Sequence, residues 1–459
     1  MSKVRSYSWT WLMIFVLIFA SDILVCSECS AQIEQRIMII TGGHEFEREA
    51  FFDIFREMPG VDYREVVQPE ANKLWDSTYM DQFDVLLFYD MFQEIDGPQK
   101  AAFIRLLEKG KGVVFLHHSL ASHQTWYEYK RIIGGRYLET GSDQEKSTYK
   151  HDVEVPVQIA DHMHPITEGL NDFLIHDEVY GNFRVLPTVH PILRTTHPES
   201  GELIGWTNRY GNSRIVYIQL GHDQYAYENP NYRRLLRQAL DWARQPDEVK
   251  MVRYSPEYTF KDGLYLNIDD VKANDPIPFG RIVTDLNSYN KAFFKEMIIN
   301  EEITLYDESG VRASLKTKDL WGYALNGQLY IMLGGKFQKI IIEGRISLFM
   351  ASATTHEKTR YAPSDTNTHY TTTEDLYRSY NKKYYYSMVT AEGTMSLFDF
   401  ESNNLTGYDI KSLGVLLERD SELSAEYEVL RNREKKEKMM EFIRKFNATH
   451  PLYFPVQEP

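Results

Sequence analysis

With 459 residues, 43% hydrophobic and 25% charged, the chain is long enough for two to three domains of ~150 residues and too apolar to remain unfolded. Its 66 acidic against 51 basic side chains leave a net charge of -15, which argues against nucleic acid as a partner, because phosphate binding needs a basic face. Its two cysteines, Cys26 and Cys29, both fall in the first 31 residues.

Those residues read as an export signal. Lys3 and Arg5 supply a positive start, Trp11–Ala20 a short apolar run, and Cys29-Ser30-Ala31 small residues before Gln32. The run is shorter than the ~20 residues a membrane span needs, so the mature chain is expected to carry no transmembrane span. Cleavage after Ala31 would leave a protein without cysteine, and so without disulfides, thiolate ligands or a cysteine nucleophile. The expected location is outside the cytoplasm, periplasmic or at the cell surface; an uncleaved anchor or a lipid on Cys26 are the alternatives.

Strand and helix patterns then alternate. Gln35–Thr41 reads as a strand, Phe46–Met58 as a helix, and Tyr63–Val67 and Val85–Tyr89 as strands. Pro98–Glu108 is helical. Gly112–Leu116 is an uncharged run too short for a helix, and reads as a strand buried on both faces at the centre of a parallel sheet. Trp126–Ile133 is a helix stopped by Gly134-Gly135. His151–Ile159 alternates like a strand, and Pro156 places it at an edge. Phe173–Tyr180 is strand-like, Leu203–Trp206 and Arg214–Gln219 form a hairpin-like pair, and Tyr232–Trp242 is the closing helix. The fold expected for residues 32–245 is therefore α/β, a doubly wound, flavodoxin-like and mostly parallel sheet.

Ligands of such sheets bind beyond the carboxyl ends of the strands, and these strands end on polar residues: Gly42-Gly43-His44, Asp90, His117-His118-Ser119 and Gly221-His222-Asp223. Alternation sends only one of His117 and His118 toward the cleft, and one of Asp177 and Glu178 inward. A buried carboxylate needs a partner; a histidine would make Glu178 a general base or metal ligand, whereas Arg184 would make it a structural ion pair. His44, His117, Glu178 and His222 are thus the candidate catalytic residues, expected to share one cleft. Asp90, Trp126, Asp177, Tyr180, Trp206 and Tyr210 are candidate substrate contacts, the four aromatic ones by stacking. Three histidines leave room for a divalent metal such as zinc, with His44, His117 and His222 as ligands, although no His-Glu-x-x-His spacing is present. His162 and His164, beside Pro165, read as loop-shaping.

The motifs of this segment resemble the trehalose-utilisation (ThuA-like) family, a branch of the class I glutamine amidotransferase-like fold. The resemblance rests on ordered stretches: Thr-Gly-Gly-His-Glu-Phe at 41–46, Phe-Asp-Val-Leu-Leu-Phe-Tyr-Asp at 83–90, Gly-Lys-Gly-Val-Val-Phe-Leu-His at 110–117, Ile-Gly-Gly at 133–135, His-Pro-Ile-Thr-Glu-Gly-Leu at 164–170, His-Asp-Glu-Val-Tyr at 176–180, Trp206-Thr207, Tyr210-Gly211 and Leu220-Gly221-His222. It implies carbohydrate processing, in keto-sugar or disaccharide catabolism, by a lyase, hydrolase or isomerase. Glutamine amidotransfer is not expected: the turn after the central strand carries His117-His118-Ser119 where that chemistry needs cysteine, and no Gly-x-Ser-x-Gly frame surrounds Ser119. A non-catalytic sugar-binding or scaffold protein is the alternative.

Beyond Gln245-Pro246 the texture changes. Ile303–Tyr306 with Val311–Leu315, and Trp321–Leu325 with Leu329–Leu333 across Asn326-Gly327, read as hairpins. Phe337–Glu343 and Ile346–Ala351 are strands, 352–383 a long exposed loop, and Tyr384–Thr390 with Thr394–Phe400 a further hairpin. Ser421–Asn447 reads as one long helix. Residues 246–459 are thus a mainly antiparallel β domain with a C-terminal helix. Gly263-Leu264-Tyr265-Leu266, Leu320-Trp321-Gly322-Tyr323 and His450-Pro451-Leu452-Tyr453-Phe454 resemble an uncharacterised β-rich domain of exported Bacteroidota proteins, which implies an accessory or surface-binding role.

Overall fold

The computed structural model describes residues 35–142, 144–246, 248–284, 293, 302–333, 336–350 and 395–456. The expected signal segment, the loop at 352–383 and the strand at 384–390 lie outside the described residues.

The first half is built on a nine-stranded sheet. Its strands and helices are β1 (Gln35–Gly42), α1 (Arg48–Arg56), β2 (Val61–Val67), β3 (Val85–Asp90), α2 (Gly97–Glu108), β4 (Gly112–Leu116), α3 (Tyr127–Ile133), β5 (Thr148–Ile159), β6 (Phe173–Gly181), β7 (His190–Thr195), β8 (Leu203–Tyr210), β9 (Ser213–Ile218), α4 (Gln224–Glu228) and α5 (Pro230–Ala243). The order across the sheet is β2-β1-β3-β4-β9-β8-β7-β5-β6. The first five are parallel to one another, and the other four extend the sheet as an antiparallel wing. Alternation of side chains along β1 explains the layers. Ile37 and Ile39 join Phe51 and Phe55 of α1 and Leu235 and Leu236 of α5 on one face. Met38 and Ile40 join Phe103 and Leu107 of α2 and Ile132 of α3 on the other. Val113–Leu116 are fully buried, as expected for a strand covered on both faces.

β5 is not an edge strand. It lies between β7 and β6, and β6 holds the edge. Pro156 is tolerated because β7 reaches only Val157–Ile159, so at Pro156 the missing N–H removes no bond to that neighbour.

The second half carries a seven-stranded antiparallel sheet that meanders in chain order: Gly263–Tyr265, Gly322–Leu325, Gln328–Leu333, Lys336–Ile342, Ile346–Met350, Met395–Asp399 and Asn404–Gly407. Asn326 and Gly327 both take positive φ, 50° and 75°, as the expected two-residue turn requires. Met395–Asp399 is paired by Ile346–Met350 on one side and Asn404–Gly407 on the other; both its edges are taken by strands other than the expected partner at 384–390. The long C-terminal helix is two, Ser421–Glu428 and Asn432–Thr449. Arg431 between them is extended and its backbone N–H donates to the Glu434 carboxylate, which starts the second helix afresh. The break folds Tyr427 back onto Phe442, with ring centroids 5.0 Å apart.

A buried ion network joins the halves. The Arg345 guanidinium donates to Glu128 on α3 at 2.9 Å, and the two side chains are 2% and 0% exposed. Tyr210 donates to the same Glu128 oxygen, and Arg131 pairs with Glu401 at 3.0 Å. At the periphery Lys100 pairs with Glu422. Desolvation makes the buried pair far more sensitive to loss of one partner than the peripheral one. Arg345→Met should therefore cost ~3–5 kcal/mol in urea unfolding, by leaving buried Glu128 with only Tyr210 and the more distant Arg131, whereas Lys100→Ala should cost under ~1 kcal/mol. Equal effects would show that the contact is solvated.

Candidate functional site

The parallel strands deliver their ends to one edge, and the loops there enclose a cavity of about 410 Å³. His44, His118, Tyr137, Tyr149, His151, Glu178, Tyr180 and His222 are among its lining residues. Beneath its floor lies His117, fully buried. His117 follows β4 directly and takes φ +48°, the left-handed region that few non-glycine residues occupy outside constrained sites. Its ring is tied at one nitrogen: Nδ1 lies 2.6 Å from the Gln219 carbonyl oxygen at the end of β9. A carbonyl can only accept, so Nδ1 carries a proton. The other nitrogen, Nε2, lies 2.9 Å from Glu178 Oε2 and 3.1 Å from His222 Nδ1. His222 Nδ1 is in turn 3.2 Å from Glu178 Oε2.

A fourth side chain completes the group. His151 Nδ1 lies 3.1 Å from His222 Nε2 and 3.3 Å from Glu178 Oε1. It reaches them from a bulge in β5: pairing steps from Lys150–Val179 to Val153–Asp177, so His151 and Asp152 together face the single residue Glu178, and Asp152 takes φ +54°. Bulges of this kind re-aim a side chain beside functional sites. Sequence reasoning missed His151 by counting it as the start of a regular strand; the signal was the polar run Lys150-His151-Asp152 ahead of the alternation Val-Glu-Val.

Electrostatics follow from this packing. Burial pushes the Glu178 carboxyl up, but hydrogen bonds from His117 and His222 outweigh it and hold the group well below the usual carboxylate range. Burial opposes the charged form of His222, and the hydrogen bond to Glu178 overcomes it, so the imidazole is raised. Asp177 stands one layer behind. Burial raises its carboxyl, and it accepts backbone N–H groups from Gly221, His222 and Glu178 at 2.8, 2.9 and 2.8 Å. It is the clamp that sets the Gly221-His222 turn. Gly221 takes φ +109°, and a Cβ there would meet the Tyr232 hydroxyl at 2.3 Å, so glycine is required.

His44 and His118 form a second group on the same cavity, their rings stacked at 4.6 Å. The expected alternation of His117 and His118 fails: the strand stops at Leu116 and His117–Ala121 turns as a 3-10 helix, which brings both rings to the cleft side. His118 packs on Tyr89 at 4.5 Å, and among the described residues neither of its nitrogens has a hydrogen-bond partner. Burial and then the charge of neighbouring His117 push its imidazole far down, so it is neutral. His44 belongs to this pair and is not among the three donors, His117, Glu178 and His222, that lie within 4.8 Å of one another. The expected metal set of His44, His117 and His222 is corrected accordingly, Glu178 standing where His44 was placed.

Of the expected substrate contacts, only Tyr180 lines the cavity, its ring 5.0 Å from that of His117. Trp206 is fully buried, packs on Tyr217 and donates to the Ile133 carbonyl. Tyr210 donates to Glu128, and Trp126 packs between Phe103 and Tyr129. These three are core residues away from the cavity. Ser119 is fully buried and donates to the Phe88 carbonyl. Arg184 is not the partner of Glu178; histidines are. His164 accepts from the Ile166 N–H, as a loop-shaping residue does.

Asp90 is sealed under the strand ends, where Ser122 donates to it at 3.3 Å. Burial pushes its carboxyl up to about 7. Between an unfolded value of ~3.9 and that figure the folded state keeps a proton that the unfolded chain releases, so stability falls as pH rises through this window, by roughly 4 kcal/mol at most. Asp90→Asn should remove that slope. Urea midpoints at pH 5 and pH 8 that differ equally in both proteins would show that Asp90 ionises freely. A separate check addresses the clamp: Asp177→Asn should cost roughly 2 kcal/mol or more, because an amide cannot accept from all three N–H groups.

The family model for trehalose utilisation (ThuA) matches residues 36–243. Among solved structures, a ThuA-like protein from Parabacteroides merdae is similar at 18% identity and TM-score 0.41, covering 46% of this chain and 90% of that one. A ThuA-like protein from Bacteroides uniformis is similar at 17% identity and TM-score 0.37, covering 48% of this chain and 94% of that one. No curated protein matches the chain. The first half of the chain, residues 36–243, is a ThuA (trehalose utilisation) domain.

Proposed function

We propose that the ThuA domain is a carbohydrate-processing enzyme, acting on a keto-sugar or disaccharide held in the cavity at the strand ends. The observation that carries this reading is the convergence of His117, Glu178, His222 and His151, drawn from four separate elements, on a cavity walled by Tyr137, Tyr149 and Tyr180. Tyrosine walls suit a ligand with both apolar faces and hydroxyls. A carboxylate and imidazoles in mutual contact suit proton transfer to or from a sugar hydroxyl or carbonyl. The size of the cavity, about 410 Å³, is within the range of small-molecule sites. The sugar class comes from the family, whose model is described as trehalose utilisation, and the fold alone would not supply it. Export to the periplasm or cell surface belongs to the same proposal; N-terminal sequencing of the secreted protein should begin near Gln32, and an intact Met1 on cytoplasmic protein would remove it.

The test is turnover and calorimetry on a panel of oxidised and unmodified disaccharides. Wild type is expected to bind and convert at least one member. His222→Ala should lower kcat/KM by ~100-fold or more, as loss of a proton-transfer group does. Its unfolding midpoint should move little, because the side chain is 22% exposed and Glu178 keeps His117. Binding without turnover by wild type would establish the rival reading, a sugar-binding protein.

A further inference from the structure

Three side-chain atoms at the floor of the cavity form a triangle: His117 Nε2, Glu178 Oε2 and His222 Nδ1, with edges of 2.9, 3.1 and 3.2 Å. Protons satisfy it only in part, whichever nitrogen carries them. His117 Nδ1 already donates to the Gln219 carbonyl, so in a neutral ring Nε2 presents a lone pair. One proton on either nitrogen serves the two contacts that nitrogen makes and leaves the third edge as lone pair against lone pair. Protons on both nitrogens give Glu178 its two hydrogen bonds, but leave two protonated nitrogens 3.1 Å apart. One cation above the triangle satisfies all three donors at once. With metal–ligand bonds of ~2.0–2.1 Å, it would sit about 1 Å out of the plane of the three atoms.

We infer that His117, Glu178 and His222 form a binding site for one divalent first-row metal ion, open on its cavity side. The surroundings are those of a metal centre. A backbone carbonyl fixes the tautomer of His117 and aims its free nitrogen inward, the usual outer support of a ligating histidine. His151 meets the remaining nitrogen of His222 and the remaining oxygen of Glu178, and Asp177 holds the backbone of His222. Two imidazoles and one carboxylate are a ligand set that suits zinc, manganese or iron and leaves coordination positions for water or ligand oxygens. Such an ion would polarise a carbonyl or acidify a bound water. A second cluster, Asp152, His176 and Asp223, lies nearby, but Asp223 is occupied in capping α4 through the N–H groups of Tyr225 and Ala226. It serves as the internal control.

The experiment is metal stoichiometry on the full mature chain, stripped with a chelator and titrated with Zn²⁺ and Mn²⁺ by calorimetry, with melting temperature as second readout. Its result does not depend on the sugar reading, since no turnover is measured. Wild type should bind one equivalent of at least one of the two ions and melt higher with it. Glu178→Gln and His222→Ala should each weaken binding by more than ~10-fold, while Asp152→Asn should bind as wild type does. Far-ultraviolet circular dichroism shows that each variant is folded, and His222→Asn replaces any that is not. Failure of folded wild type to bind either ion, survival of tight binding in both ligand variants, or its loss in Asp152→Asn would overturn the site.

Discussion

The hydrogen bond from His117 Nδ1 to the Gln219 carbonyl ties the ends of the two central parallel strands and orients the ring around which the site is packed. Everything else in the cavity takes its position from that ring. Glu178 can be buried because His117 and His222 face it; His222 can face it because Asp177 accepts its backbone N–H and glycine precedes it. His117 itself is held in a left-handed conformation by the Tyr217 hydroxyl on its carbonyl and the packing of the central strands. Strain of this order, ~1–3 kcal/mol, persists only where the surroundings over-determine it.

The two kinds of strand in one sheet divide the labour. Parallel strands bring His44, His117 and His222 to a common edge, because each ends where the next helix or turn begins. The antiparallel wing contributes the groups that face them, Glu178 from β6 and His151 from the bulge of β5. The site is therefore made at the seam between an open α/β sheet and its extension, and neither part contains it alone. The stacked pair His44 and His118 enlarges it with two further imidazoles, one of them buried and without hydrogen-bond partners among the described residues.

The second half of the chain bears on this architecture through charge as well as apolar packing. Arg345 and Arg131 face Glu128 on α3 and share Glu401 as a second partner; α3 is the helix whose Gly134 cap packs under Trp206. Aromatic residues that sequence reasoning assigned to a sugar, Trp126, Trp206 and Tyr210, instead build this support. Large aromatics bury more surface than any other side chain, so in the absence of further signals they belong to a core.

Local pattern determined most of the elements and the strand ends, though it read two helices as one after Ser421 and an interior strand as an edge at His151–Ile159. Uncharged runs such as Val113–Leu116 cannot be exposed, and Gly-Gly-His or Leu-Gly-His after such a run marks a turn with a polar residue beside open space. That reasoning placed His44, His117, Glu178 and His222 at one cleft, and the cavity holds three of them with His117 beneath. What tertiary structure alone decided is the pairing across elements. A bulge opposite Glu178 aims His151, because two residues face one only after register between β5 and β6 is set. The turn at His117 breaks the alternation that would separate it from His118, because a strand's period ends with the strand. Which carboxylate clamps and which one faces the cavity, Asp177 or Glu178, depends on where the Gly221-His222 turn passes, and that position is a product of the whole sheet.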